Sequence, residues 1–421
     1  MNLKYTLNQR PKLNHLLLYG LQWLVISVPN VLTSALLGKI QFFDDPAMQT
    51  LYLQKLYFVV GAVMIVQALF GHKLPLIIGP AAVLIVGILS AQSAGFDVIY
   101  TSIAICGVVL FLVSISGFLN KIQKIFTPRI IITILGLIAM TLAPVFLGLL
   151  FKTGSMIFNF FFALIAIIVA FVLNHVLRGI WKSTTLVILV GLGSVIYYLF
   201  NPVPELTKVT GSFEFSDFFI HPEFNFGVIL SFLICFFALM INELGSIQSI
   251  YGLVNADHVD KRMTRGCALT GLGNTLAGMV GMIGPVDYSL SPGIVATSGC
   301  ASRYPIVVCG IGMLICSFST SLVSILTMLP DVLIGVMLLY VVILQLAAAF
   351  NMMMETKAVQ TFEHALTIAI PMGIGLFVSL IPAELSNSLP ALVRPILTNG
   401  FVMGVLFVVF FEHFVFFQRR K

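Results

Sequence analysis

Charged side chains are scarce in this sequence: 16 acidic and 22 basic residues make up 9% of 421, where a soluble domain carries about 25%. A chain so poor in charge cannot cover a water-facing surface, and soluble fold classes are excluded. Paired cysteines are missing as well. Cys106, Cys235, Cys267, Cys300, Cys309 and Cys316 lie in apolar stretches without Cys-x-x-Cys spacing, so they read as small buried hydrophobes, not as a disulfide or metal framework. No Gly-x-x-x-x-Gly-Lys-Ser/Thr run occurs, which argues against an ATP-driven pump. The one Asp pair, Asp44-Asp45, stands alone, so a metal–diphosphate centre is unsupported. An enzyme, a cofactor, a metal and a catalytic residue are therefore not expected.

What the sequence has in quantity is apolar length, with 59% hydrophobic residues. A bilayer-spanning helix needs about 20 such residues. Read between polar breaks, spans fall near 17–37, 51–70, 98–118, 129–150, 155–177, 182–200, 226–250, 264–282, 304–327, 330–351, 363–383 and 394–417. The first run has no small-residue cleavage site and reads as a retained span rather than a leader. The net charge of +6 is thinly spread between spans, which fits loop bias and no nucleic-acid partner. With the N-terminus inside, 17 Lys and Arg fall on the inner side, and Lys39, Lys55, Lys152, Lys208 and Arg394 on the outer. That asymmetry predicts a multi-pass protein of the cell membrane, with both termini cytoplasmic and the 201–225 loop outside.

Two shorter apolar pieces, near 76–92 and 286–300, are interrupted by Gly and Pro: Gly79-Pro80-Ala81 in one, and Gly284-Pro285 through Ser291-Pro292-Gly293 in the other. Broken backbone at membrane depth is tolerated only in a cavity or inside protein. The two pieces stand third in each set of seven segments, and interrupted segments at matching positions point to a transporter site. The expectation is an all-α integral membrane protein of 14 segments in a 7+7 inverted repeat, with half-helices at segments 3 and 10. Pro80 and Pro292 suit the first turn of a half-helix and Ser291 an N-cap. The two free N-termini would attract a polar or anionic ligand.

The run Arg265-Gly266-Cys267-Ala268-Leu269-Thr270-Gly271-Leu272-Gly273 to Gly278, then Tyr288-Ser289, Gly293, Ala296 and Ser302-Arg303, resembles the nucleobase–ascorbate transporter family of nucleobase:cation symporters. Gly20-Leu21-Gln22, Leu389-Pro390-Ala391, Asn399-Gly400 and Gly404 are similar to that family too, while the pattern after Pro330-Asp331 is only partly kept, with Val336 after Gly335. The resemblance implies a core domain (1–125 and 226–327) and a gate domain (126–203 and 328–421), joined by an extracellular loop at 204–225. It further implies a homodimer in the lipid bilayer and symport of a purine or pyrimidine with a proton, or with sodium, by movement of core against gate.

Two positions depart from the family pattern. Its acidic or amide residue after aromatic-Ser is Leu290 here, followed by Ser291, and its eighth-segment Glu aligns with Asn242, beside Glu243. The candidate substrate-binding set is Asn242, Glu243, Tyr288, Ser289, Leu290, Ser291, Gly79, Pro80 and Ala81. Glu243, an acid deep in a span, is the expected proton-coupling residue, although pairing within a helix contact would also explain it. Asn242 can face a ligand amide edge or join two helices, and Tyr288 can stack on a flat ring. Asp287 can cap, pair or face the cavity. Gln22 and Gln248 are weaker candidates, and His72, His175 and His258 at span ends read as solvated. An anion transporter on the same fold is the alternative. Its sulfate-transporting relatives are similar at Ser289-Leu290-Ser291, and losing carboxylates at 242 and 290 leaves the helix dipoles less compensated.

Overall fold

Inside a bilayer each backbone N–H and C=O needs a partner within the protein, so apolar runs become helices. The computed structural model describes residues 4–32, 34–42, 45–119, 125, 127–152, 154–177, 185–203, 219–254, 256–288, 291–390 and 393–416. In chain order the elements begin with α1 (Leu13–Leu32), α2 (Ala35–Gln41), α3 (Pro46–Leu69), β1 (Ile77–Pro80), α4 (Ala82–Ser90), α5 (Phe96–Ile115), α6 (Pro128–Thr141), α7 (Ala143–Leu150), α8 (Met156–Val176) and α9 (Thr185–Phe200). There follow α10 (Phe226–Val254), α11 (Val259–Met279), β2 (Pro285–Tyr288), α12 (Ser291–Ser298), α13 (Tyr304–Ser317), α14 (Thr320–Thr327) and α15 (Asp331–Thr356). The last are α16 (Phe362–Ser379), α17 (Ala383–Ser388), α18 (Arg394–Leu397), α19 (Gly400–Phe410) and a π-turn at Phe411–Val415.

Among the described residues, seven helices are long and apolar enough to cross a membrane, and the bent pair α13 and α14 is an eighth if it forms one span. The outward face of α8 carries Ile157, Phe160, Phe161, Leu164, Ile165 and Ile168, a surface suited to lipid. This is a mostly helical, multi-pass membrane protein.

Several runs expected to be single helices are interrupted. The 304–327 run bends by 91° between α13 and α14, where the Ser319 side chain accepts from Leu322 N–H and starts a new helix. The 129–150 run stays one span, Pro128–Leu150, with a local interruption at Leu142, because Pro144 near the start of α7 has no N–H to continue the ladder. In the 394–417 run Asn399 caps α19 by accepting from Val402 N–H. Asp45 likewise caps α3, accepting from Ala47 and Met48 N–H.

The fold is also not all-α. β1 and β2 pair antiparallel, Ile77 opposite Tyr288 and Pro80 opposite Pro285. Each strand leads into a short helix, so α4 and α12 leave the pair from opposite ends, about 13 Å apart by strand rise. Pro80 thus ends a strand and does not open a helix; Ala81 is the N-cap of α4, and its N–H donates to Gly284 O. Pro satisfies a strand end for the same reason it satisfies a first helical turn, since its missing N–H goes unused.

The packing follows small residues. α11 lies against α5, α3 and α10. At the α5–α11 crossing a Cβ on Gly271 would sit 2.6 Å from Phe111 N, and one on Gly107 would sit 2.5 Å from Thr275 N. Elsewhere α6 packs with α15, α16 and α19, and Arg129 grips Glu412 through two hydrogen bonds of 2.8 and 3.0 Å. Lys39 donates to Asp331 at 2.8 Å and to Leu329 O, with Lys152 3.9 Å from the same carboxylate.

Helix propensity and packing make opposite predictions for Gly271→Ala. Propensity favours alanine by about 1 kcal/mol, whereas forcing two backbones apart costs about 1–3 kcal/mol. The clash should win, and the purified variant should melt at a lower temperature than the parent. A higher melting temperature would refute the close crossing.

Candidate functional site

Consecutive residues on a helix point about 100° apart, and at the middle of α10 that turn separates two environments. Asn242 is exposed and Glu243 is fully buried. Asn242, Gly245 and Ser249, spaced i, i+3 and i+7, share one exposed face, with Gln248 at its edge. A Cβ on Gly245 would meet nothing within 4 Å. Polar groups facing lipid would be costly, so this face suits a water-filled crevice.

Glu243 points the other way, into a sealed polar network. Its Oε1 accepts from Thr270 Oγ1 at 2.6 Å, and its Oε2 from Asp287 N–H at 3.0 Å. Gln67 Nε2 donates to Thr270 Oγ1 and Gly266 O, and Ser246 Oγ donates to Asp287 O. Asp287, also fully buried, pairs with an imidazole: His72 Nε2 lies 3.2 Å from its Oδ2, and His72 is fully buried too. His72 Nδ1 accepts from Leu74 N–H at 2.9 Å, which places the imidazole proton on Nε2. Arg262 Nη1 donates to the carbonyls of His72 and Lys73.

The strand pair is equally closed. Gly79, Pro80 and Ala81 are buried, so none offers a free surface. Tyr288 does not lie open for stacking. Its hydroxyl donates to Pro80 O at 2.7 Å, and its ring covers Gly79, where a Cβ would come within 2.7 Å of the ring. Nor does Ser291 act as an N-cap: it is the first residue of α12, and its Oγ accepts from Ile77 N–H at 2.9 Å and donates to Tyr288 O at 3.1 Å. Satisfying a strand N–H inside the protein outweighs capping, because an orphaned one costs about 1–3 kcal/mol. Ser289 and Leu290 lie outside the described residues, as do Asp44 and the loop at 204–218.

The structure therefore brings Glu243, Asp287, Tyr288 and Ser291 into one buried cluster with the first strand, and sets Asn242 on an open face beside it. His72 corrects the reading of a solvated loop histidine. Thr270 and Gln67 were missed. The available signal for Gln67 was a polar side chain in the otherwise apolar second half of α3; Thr270 sits inside the glycine motif, which masked it. Gln22 is buried, Gln248 exposed. His258 takes a left-handed conformation with φ 56° at the start of α11.

The Permease family profile matches residues 14–384. A Clostridium perfringens protein named as purine permease CPE0397 is 27% identical over 307 residues, which is 70% of this chain and 67% of that protein. Uric acid permease PucJ of Bacillus subtilis is 22% identical over 368 residues, covering 83% of this chain and 80% of PucJ. Among solved structures, the transmembrane domain of the cyanobacterial bicarbonate transporter BicA superposes with a TM-score of 0.64 at 13% identity, covering 90% of this chain and 99% of that one. The likeness to BicA shows a shared fold alone. The profile match runs from the first helix through α16, and the chain belongs to this Permease family, the nucleobase–ascorbate transporters whose motifs its sequence resembles.

Proposed function

We propose that this protein is a secondary transporter that carries a planar nucleobase, a purine or pyrimidine, in symport with a proton. The observation that carries the reading is the open polar face of α10, with Asn242, Gly245 and Ser249 beside the β1–β2 pair. Asn242 offers both a donor and an acceptor, the complement of an amide-like ring edge. The relatives named as purine and uric acid permeases support a base over an inorganic anion. Ser289 and Leu290 complete the substrate surface in this reading, and Tyr288, Ser291, Gly79, Pro80 and Ala81 shape it from behind. Glu243 serves the proton.

The mechanism follows from a division into a core (1–125 and 226–327) and a gate (126–203 and 328–421), with an outer loop at 204–225. In support, α5 packs with α11, α3 with α13 and α1 with α13, while α6, α15, α16 and α19 form a second group. Lys39 of the core meets Asp331 of the gate, which holds the outer side shut while the face at Asn242 opens inward. Fourteen segments in a 7+7 inverted repeat account for the opposed departures of α4 and α12, and a homodimer in the cell membrane is the working unit. Cytoplasmic termini are in keeping with which charges pair: Lys39 and Lys152 with Asp331 at one side in this reading, and Arg129 with Glu412 at the other.

Reconstituted protein should take up radiolabelled uric acid, xanthine or uracil and be competed by unlabelled base. Competition by sulfate or bicarbonate alone would overturn the nucleobase reading in favour of an anion carrier. Asn242→Ala should weaken base affinity about tenfold, the worth of one polar contact, with an unchanged melting temperature for the free protein. An unaltered affinity would remove α10 from the substrate face.

A further inference from the structure

We infer that Asp287 and His72, together with Glu243, form the proton-binding site of this transporter, set behind the substrate face of α10 and out of contact with the base. The inference rests on the transport reading above and assigns its coupling chemistry to a place. Three titratable side chains from three separate segments meet there with no exposure: Glu243 on α10, Asp287 on β2 and His72 in the link from α3 to β1. On the open face, by contrast, Asn242 cannot titrate.

The hydrogen bonding is uneven in a way that points to a ligand. Both oxygens of Glu243 are used, by Thr270 and by the Asp287 N–H. The side-chain oxygens of Asp287 make no well-aligned hydrogen bond among the described residues; His72 Nε2 lies 3.2 Å from Oδ2 and the Glu243 carboxyl is close by. A buried carboxylate held by one imidazole contact and set beside a second carboxyl is costly, and a small ligand would relieve it. Among the described residues no group of three or more His, Cys, Asp or Glu side chains could hold a metal ion, and the imidazole N–H on the Asp287 side repels a cation. A proton fits both conditions. It forms an O–H bond at Asp287 on one side of the membrane and leaves to water on the other, with no other bond made or broken. The three groups bind protons as a set.

Other groups near this set come from each neighbouring element. From α11, the Cys267 thiol lies within electrostatic range of both carboxyls, and Arg262 contacts the His72 carbonyl. From α3 Gln67 reaches Thr270, and from α10 Ser246 holds Asp287 O. Opposite Asp287 on β1 is uncharged Ile78.

This position also suits coupling. Glu243 and Ser246 together hold the backbone N–H and C=O of Asp287, so α10 carries β2 directly. The same turn of α10 presents Asn242 and Gly245 to the crevice. A proton arriving at Asp287 or Glu243 changes the bond between α10 and the strand pair, and with it the setting of Tyr288 over Gly79. Base and proton are read from opposite faces of one helix turn.

Calorimetric titration of the purified full chain with uric acid or xanthine, in two buffers of different ionisation enthalpy, counts protons taken up per base. The parent protein should take up about one proton per base through linkage, and Asp287→Asn and His72→Gln should take up none. A variant that binds base with the parent's proton count overturns the assignment, as does one that no longer binds any base, since its side chain then belongs to the substrate surface. If Asp287→Asn fails to fold, His72→Gln decides alone: its base affinity should become flat with pH, and an unaltered pH profile overturns the proposal. A parent that binds no base refutes the transport reading itself. A parent that binds base without protons refutes the present inference and the proton coupling, and leaves base transport standing.

Discussion

Backbone that leaves the helix within a bilayer has to be paired inside the protein, and the β1–β2 contact is how this chain meets that demand. Two strands of four residues satisfy part of each other's ladder, but four residues do not suffice, and side chains supply the rest. Ser291 Oγ takes the N–H of Ile77, Glu243 takes that of Asp287, and Ala81 N–H reaches Gly284 O. The tyrosine hydroxyl of residue 288 donates to Pro80 O. Each of these groups is committed by the cost of an orphaned amide in a dry site. The half-helices exist because the strands are held, and the strands are held by the same polar residues that a ligand site would need.

The glycines of α11 serve this arrangement from behind. Gly271 lets α11 approach α5 backbone to backbone, a form of helix contact that in a bilayer replaces the missing hydrophobic drive. Close approach carries Thr270, next in sequence, toward Glu243. A helix set further back would leave that carboxyl with only one donor. The glycine motif that reveals the family in sequence is thus also the spacing device for the buried network.

The long spans could be read from sequence because apolar length and the need to pair backbone leave one solution. The two interrupted pieces were legible for the same reason, since Gly79-Pro80 and Gly284-Pro285 cannot continue a helix. Their pairing as strands was not, because nothing in four residues says that the partner lies more than 200 positions away. The site was legible only by address. Glu243 stood out as an intramembrane acid, but whether it or Asn242 faced open space turned on 100° of helix rotation that apolar periodicity on a helix buried on most sides does not fix. His72 failed for a tertiary reason: beside Lys73 at a span end it has the local look of a solvated residue, and only the fold supplies Asp287. Ser291 and Tyr288 were assigned the right neighbourhood and the wrong partner, because a backbone group from β1 competed for each and won.

The separation of Asn242 from Glu243 bears on how such a transporter can couple two ligands at all. A carboxyl on the crevice wall would see water whenever the crevice is open, and its charge would be screened by high dielectric. Behind the helix, in a space closed to solvent, the same charge acts on its neighbours at full strength, and those neighbours include the backbone of Asp287 that α10 carries. On the proposed assignment, the arrangement exchanges direct contact between base and proton for a mechanical link of one residue's length. Such a link has the property coupling requires: the strand pair can hold only one setting at a time, so both ligands must agree on it.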